Sequence, residues 1–180
     1  MQLRFAQVTG HFLFALAIIS IAAPLPAQTA EWKAHDYPAD GFRVTFPVAP
    51  EVSKENIPTD AGPVELHLYT ASVGNTALNI SVCDYGTKAA AVDPDNILAG
   101  VEKGAIDNWK AKVASENKIA LGVNHGLAVE AENDSMHFSL HYYMVGGVLY
   151  QTMVVSPAAE KFPDAKRFLD SFQLIPRTAN

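Results

Sequence analysis

The 180-residue chain is short of cysteine: Cys83 stands alone, so no disulfide can close within one molecule. It is also short of charge. Charged residues make up 18% of the sequence, and 19 acids against 13 bases give a formal net charge of −6. A mildly acidic surface repels phosphate backbones and anionic headgroups, so nucleic acid is not an expected partner. No apolar run reaches the roughly 20 residues that a membrane-spanning helix requires. The nucleophile elbow, the phosphate-cradling glycine loop and the zinc-binding helix motif are all missing. No enzyme class is therefore indicated, and no cofactor is expected. The content is otherwise ordinary: 49% hydrophobic residues is too apolar for a disordered chain.

What is present begins at the N-terminus. Arg4 supplies a positive start, Phe12 to Ala23 is an uncharged apolar run, and Pro24 and Pro26 break it before the small residue Ala27. That layout predicts a secretory signal peptide over residues 1–27, cleaved after Ala27. A single domain over residues 28–180 follows, in a periplasmic or secreted location, with no stable membrane anchor after cleavage. An exported domain without disulfides must be held by its core, which a chain of this length can build.

Along that domain, Trp32 to Tyr37, Phe42 to Phe46, Glu51 to Ile57 and Val64 to Val73 read as strands. Leu78, Ile80 and Val82 alternate with Asn79, Ser81 and Cys83 on a return strand. Asp93 caps a helix with Pro94 at its first position, and Leu98, Val101, Ala105 and Trp109 form its apolar stripe. Three or four strands are expected between Lys118 and Pro157. A two-residue turn at Asn133-Asp134 sets Val129 opposite Phe138 and Glu130 opposite His137. A second turn at Gly146-Gly147 sets Leu140 opposite Met153. A helix opened by Pro163 closes the chain, with Ala165, Phe168, Leu169 and Phe172 on its buried side. The predicted class is α+β: an antiparallel sheet of about six to eight strands with two main helices packed on it.

Three segments also carry a resemblance. Asp40-Gly41-Phe42-Arg43-Val44-Thr45-Phe46-Pro47 is similar to the opening of exported bacterial proteins of the PsbP-like fold. So are Leu149-Tyr150-Gln151 followed by Val154-Val155, and Arg167-Phe168-Leu169-Asp170-Ser171-Phe172-Gln173-Leu174 near the end. The resemblance follows the element order of nearly the whole domain, and its motifs are packing motifs. It implies membership of the PsbP, Mog and DcrB-like superfamily, and a non-enzymatic accessory or binding module that engages a protein or envelope component. It carries no catalytic residue onto this chain, and fold alone does not fix function.

The alternative is a small-ligand or metal carrier using the polar side of the meander, where Glu130, His137, Ser139, His141 and Tyr143 alternate. His137 and His141 lie four residues apart, about 13 Å at roughly 3.3 Å per residue, too far to chelate one ion from a regular strand. A metal would need a bulge or a ligand from another strand, such as His67. The competing expectation is a solvated face on which Glu130 and His137 form a modest cross-strand pair. Cys83 is either a small buried hydrophobe or a reactive thiol. A two-residue turn at Gly74-Asn75 puts Leu66 opposite Cys83. A three-residue loop puts His67 and Cys83 on one face, and the apolar pattern favours that second register. Whether His137 and His141 are exposed or roofed depends on which face the helices cover.

Overall fold

A computed structural model describes residues 31–59 and 62–178. The signal-peptide expectation falls on residues 1–27, outside the described residues. The elements run β1 (Lys33–Tyr37), β2 (Phe42–Phe46), β3 (Glu51–Thr59), β4 (Gly62–Val73), β5 (Thr76–Asp84), α1 (Gly86–Ala90) and α2 (Pro94–Trp109). They continue with β6 (Lys112–Leu121), β7 (Asn124–Glu132), β8 (Met136–Val145), β9 (Val148–Pro157), α3 (Ala165–Asp170) and β10 (Gln173–Leu174).

Seven strands form one antiparallel sheet in the order β3-β4-β5-β9-β8-β7-β6, and β1-β2-β10 form a second, three-stranded sheet. The class is therefore α+β and antiparallel, as expected. The helical part differs from expectation: α2 is 16 residues long, but α1 and α3 have five and six. Phe172 leaves the closing helix early and is buried just before β10, where Leu174 pairs with Phe42.

Period-two alternation sorts the large sheet into two faces, and both are buried in its centre. One face carries Leu127, Val129, Phe138, Leu140, Tyr142 and Leu149, which pack with Leu98 of α2. Asp93 accepts from the Asp95 backbone N–H and caps that helix as the sequence indicates. Trp109, at the end of α2, stacks on Phe138 at 4.6 Å between ring centroids. The opposite face carries Leu78, Ile80, Val82, Tyr143, Tyr150 and Val154, and the small sheet and α3 cover it with Phe42, Val44, Phe46, Phe168 and Phe172. Truncating a fully buried ring such as Phe42 to alanine costs about 3–5 kcal/mol.

Two glycines are there for close approach. At Gly126 an added Cβ would lie 2.6 Å from the Tyr143 ring and 2.8 Å from the Tyr142 carbonyl oxygen. Gly41 has φ of +76°, and its Cβ would lie 2.6 Å from Arg177 Cγ. There the C-terminal segment crosses the β1–β2 turn, with Ile175 N–H donating to the Gly41 carbonyl at 2.9 Å.

Candidate functional site

The polar side of the meander lies inside the protein. His137, Ser139, Thr152 and Ser156 are buried, on the face that the small sheet and α3 cover. The expectation of a solvated face is overturned because the second layer, assembled from β1, β2, α3 and β10, roofs it. Four cross-strand rows define this face. His67, Val82, Tyr150 and Tyr143 make one row, and Tyr69, Ile80, Thr152 and His141 the next. Leu78, Val154 and Ser139 follow, and His137 stands opposite Ser156 in the last. His67 and His137 occupy opposite corners. Three strand spacings, about 14 Å, separate them even before their offset along the strands. The structure does not bring His67 to His137 and His141. Among the described residues no three His, Cys, Asp or Glu side chains are grouped to hold a metal ion.

The first corner is built around Asp40, whose side chain is only 7% exposed. It sits in the turn between β1 and β2. His67 Nδ1 lies 2.8 and 2.7 Å from its two carboxylate oxygens. Tyr69 donates its hydroxyl to the same carboxylate, and Tyr150 donates to the Asp40 backbone carbonyl at 2.7 Å. The other ring nitrogen, Nε2, lies 2.5 Å from Glu65 Oε1, which also accepts from Lys54 at 2.9 Å. Each ring nitrogen of His67 faces a carboxylate, an arrangement that favours the doubly protonated ring. Its pKa agrees in direction. Partial burial pulls it down, but the hydrogen bonds to Asp40 and Glu65 and the Asp40 charge outweigh that and hold it above its ordinary value. Burial, and then the Asp40 hydrogen bond, push the Tyr69 phenol far above its usual range. This corner ties the small sheet to the large one through a buried, hydrogen-bonded charge pair.

The second corner has a different make-up. His137 Nε2 lies 2.8 Å from Glu130 Oε2, and Ser139 donates to that same oxygen at 2.8 Å. The Ser139 hydroxyl is 3.4 Å from the same His137 nitrogen. One nitrogen thus serves both neighbours, whereas a nucleophile relay needs serine and acid on opposite nitrogens. His137 Nδ1, Thr152 Oγ1 and Ser156 Oγ are buried without a partner among the described residues. Burial lowers the His141 pKa, with Asp170 and Glu130 opposing, so this ring stays neutral more readily.

Glu130 stands opposite Ser139 and reaches His137 diagonally; the expected direct Glu130–His137 pairing is corrected. Asn133 is the closing residue of this turn. Its side chain accepts from Ser135 and Met136 N–H, and its own N–H donates to Met136, leaving Asp134-Ser135 as the turn. The resulting two-residue slip keeps every side chain on its face, so the apolar pattern reads the same in both registers. The Gly146-Gly147 register is as expected, with Leu140 opposite Met153.

Cys83 pairs with Leu66, so Gly74-Asn75 is a two-residue turn and the favoured three-residue loop is overturned. His67 and Cys83 consequently face opposite sides. The thiol is 5% exposed, and burial pushes its pKa up despite a hydrogen bond with Tyr85. A protonated, enclosed thiol is a poor nucleophile. Sequence reasoning missed Asp40 altogether, because an Asp-Gly pair between two strands reads as turn punctuation.

No family model matches the chain, and no curated protein matches it in sequence. Among solved structures it is similar to cyanobacterial PsbP from Synechocystis sp., with a TM-score of 0.59 at 9% identity, over 86% of this chain and 98% of that one. A Pseudomonas aeruginosa protein of unknown function is similar over 82% of this chain and 99% of that one, at a TM-score of 0.43 and 9% identity. The likeness to cyanobacterial PsbP speaks to architecture alone, and on it the chain has a PsbP-like fold.

Proposed function

We propose that this protein is an exported, non-enzymatic accessory module that engages a protein or envelope component in the periplasm. The observation that carries the reading is the uneven cover of the large sheet. On the side opposite the small sheet, α2 lies over β7 and β8. Leu66, Leu68, Met153 and Val155, on the other half of that face, stay partly open to solvent. Leu66 and Leu68 on β4 and Met153 and Val155 on β9 flank Ser81 and Asn79 of β5, and a partly open surface that mixes apolar and polar groups in this way suits a protein partner. The reactive types of side chain support a non-enzymatic role, being turned inward: Cys83 is enclosed, and both nitrogens of His67 are engaged. The net charge of −6 favours a partner other than nucleic acid. Among the described residues no helix is long and apolar enough to cross a membrane.

The test is photo-crosslinking in cells that express the full chain, with the probe at Leu68 and, as control, at Lys33 on the small sheet. An adduct of one defined mass at Leu68 and not at Lys33 is expected. Equal labelling at the two positions, or none at Leu68, refutes the reading. Native mass spectrometry of the purified protein checks export separately, since cleavage after Ala27 leaves a chain starting at Gln28.

A further inference from the structure

Beyond that reading, α1 walls a cleft at the end of the sheet where β5 meets the helices. The cleft encloses about 510 Å³, and the apolar groups of Pro63, Val64, Tyr85, Ala89, Val92 and Ile97 form most of its lining. That volume lies within the range of about 300–1,000 Å³ usual for small-molecule sites. Val92 is 49% exposed and adds its side chain to the apolar surface of the cleft.

The polar groups at the rim are unequal. Asp84 is already satisfied: one carboxylate oxygen accepts from Gly86 N–H at 2.9 Å, and the other pairs with Arg177 at 3.1 Å. Lys88 lines the same cleft on α1, is exposed, and makes no ion pair among the described residues. An apolar slot with one uncommitted cation at its mouth complements a ligand with an apolar chain and one anionic end. The wall carrying Lys88 is also lightly held. α1 buries none of its residues, and it rests on the β8–β9 turn through backbone: Tyr85 N–H donates to the Gly147 carbonyl at 2.9 Å. A Cβ on Gly147 would lie 2.3 Å from the Gly86 carbonyl oxygen. A segment with few buried contacts adjusts to a ligand at little cost.

We propose that this cleft binds a single-chain fatty carboxylate, with its chain against Val64, Val92 and Ile97 and its carboxylate at Lys88. The cleft adjoins the half-covered sheet face through Val64, two residues from Leu66 on the same side of β4, but Lys88 and Val92 lie off the sheet, so either proposal can fail while the other stands.

The experiment is a calorimetric titration of the purified protein with laurate below its micellar concentration, and with dodecanol as the uncharged comparison. Lys88→Glu and Val92→Asp both change exposed side chains, and circular dichroism verifies that each variant is folded. Saturable one-to-one binding of laurate is expected, weakened at least tenfold by each variant and at least tenfold weaker for dodecanol. Absence of saturable binding to the unaltered protein overturns the proposal, as does binding that neither variant changes. Loss with Val92→Asp but not with Lys88→Glu, with dodecanol bound as well as laurate, overturns the carboxylate assignment. The photo-crosslink at Leu68, four residues along β4 from Val64, reads the sheet face beyond the cleft and is expected to be unchanged by both variants.

Discussion

The two polar corners of the covered sheet face contain the same kinds of residue and differ in how completely they are paired. Around Asp40, a buried carboxylate meets a doubly donating His67 and the Tyr69 hydroxyl, and a backbone carbonyl takes the Tyr150 hydroxyl. Around His137, the carboxylate partner Glu130 is 43% exposed, and His137 Nδ1 and Ser156 Oγ have no partner among the described residues. The first corner draws its members from the β1–β2 turn and from β4 and β9. The second takes most of its members from the β7–β8–β9 meander. A polar cluster saturates when distant elements close around it, because each supplies a donor or acceptor in a direction that neighbouring strands cannot.

Removing the carboxylate from each corner is the sharpest way to break the comparison. Asp40→Ala strands two buried donors, and the expected loss of stability is about 3 kcal/mol, read by urea unfolding. Glu130→Ala is expected to lose less, about 1 kcal/mol, because Glu130 is 43% exposed and the Ser139 hydroxyl and His137 Nε2, 3.4 Å apart, can bond each other once it is gone. Comparable losses at the two sites would mean that the corners do not differ in kind.

Histidine titration separates them by sign. His67 has a raised folded pKa, so its contribution is fully present below its unfolded value of about 6.5. That contribution is lost as pH rises through the raised value. His141 has a lowered folded pKa, so the unfolded chain takes up a proton first and stability falls as pH drops below about 6.5. Side-chain NMR is expected to find His67 titrating above 6.5 and His141 below it. His67→Gln should abolish the loss of stability on the alkaline side and leave the acid side unchanged. Titration of both rings at one pH would sink this account.

A small effect of opposite sign is expected where a buried hydroxyl has no partner among the described residues. Thr152→Val removes the unpartnered Oγ1 at nearly constant shape, so stability should rise by about 1 kcal/mol. A loss of that size instead, in thermal unfolding, would show that the hydroxyl is bonded in solution.

Legibility followed burial. β2, β5, β8 and β9 bury one side or both, and their alternation or apolar density announced them. β6 is exposed over most of its length and α1 buries nothing, so neither left a periodic trace. β3 lies at the other edge of the sheet and is mostly exposed where its side chains are described, and its pattern was correspondingly weak. The Asn133 hairpin shows a different limit. A slip of two residues leaves every side chain on its own face, so hydrophobic pattern cannot choose between registers that side-chain capping of the turn distinguishes. The closing helix was legible as an apolar stripe. Its length was not, because Phe172 serves the core equally well from an extended segment as from a helical turn.

By itself the sequence determined the α+β class, the strand-rich meander, the capped start of α2 and the Gly146-Gly147 register, because each rests on contacts or turn chemistry between near neighbours. Only the tertiary structure decided that β1 and β2 join α3 and β10 as a second layer, and that this layer roofs His137. It also decided that Asp40 meets a histidine 27 residues away. Those outcomes depend on which of two similarly patterned faces each layer covers, a choice made by the summed packing of the whole chain rather than by any local segment.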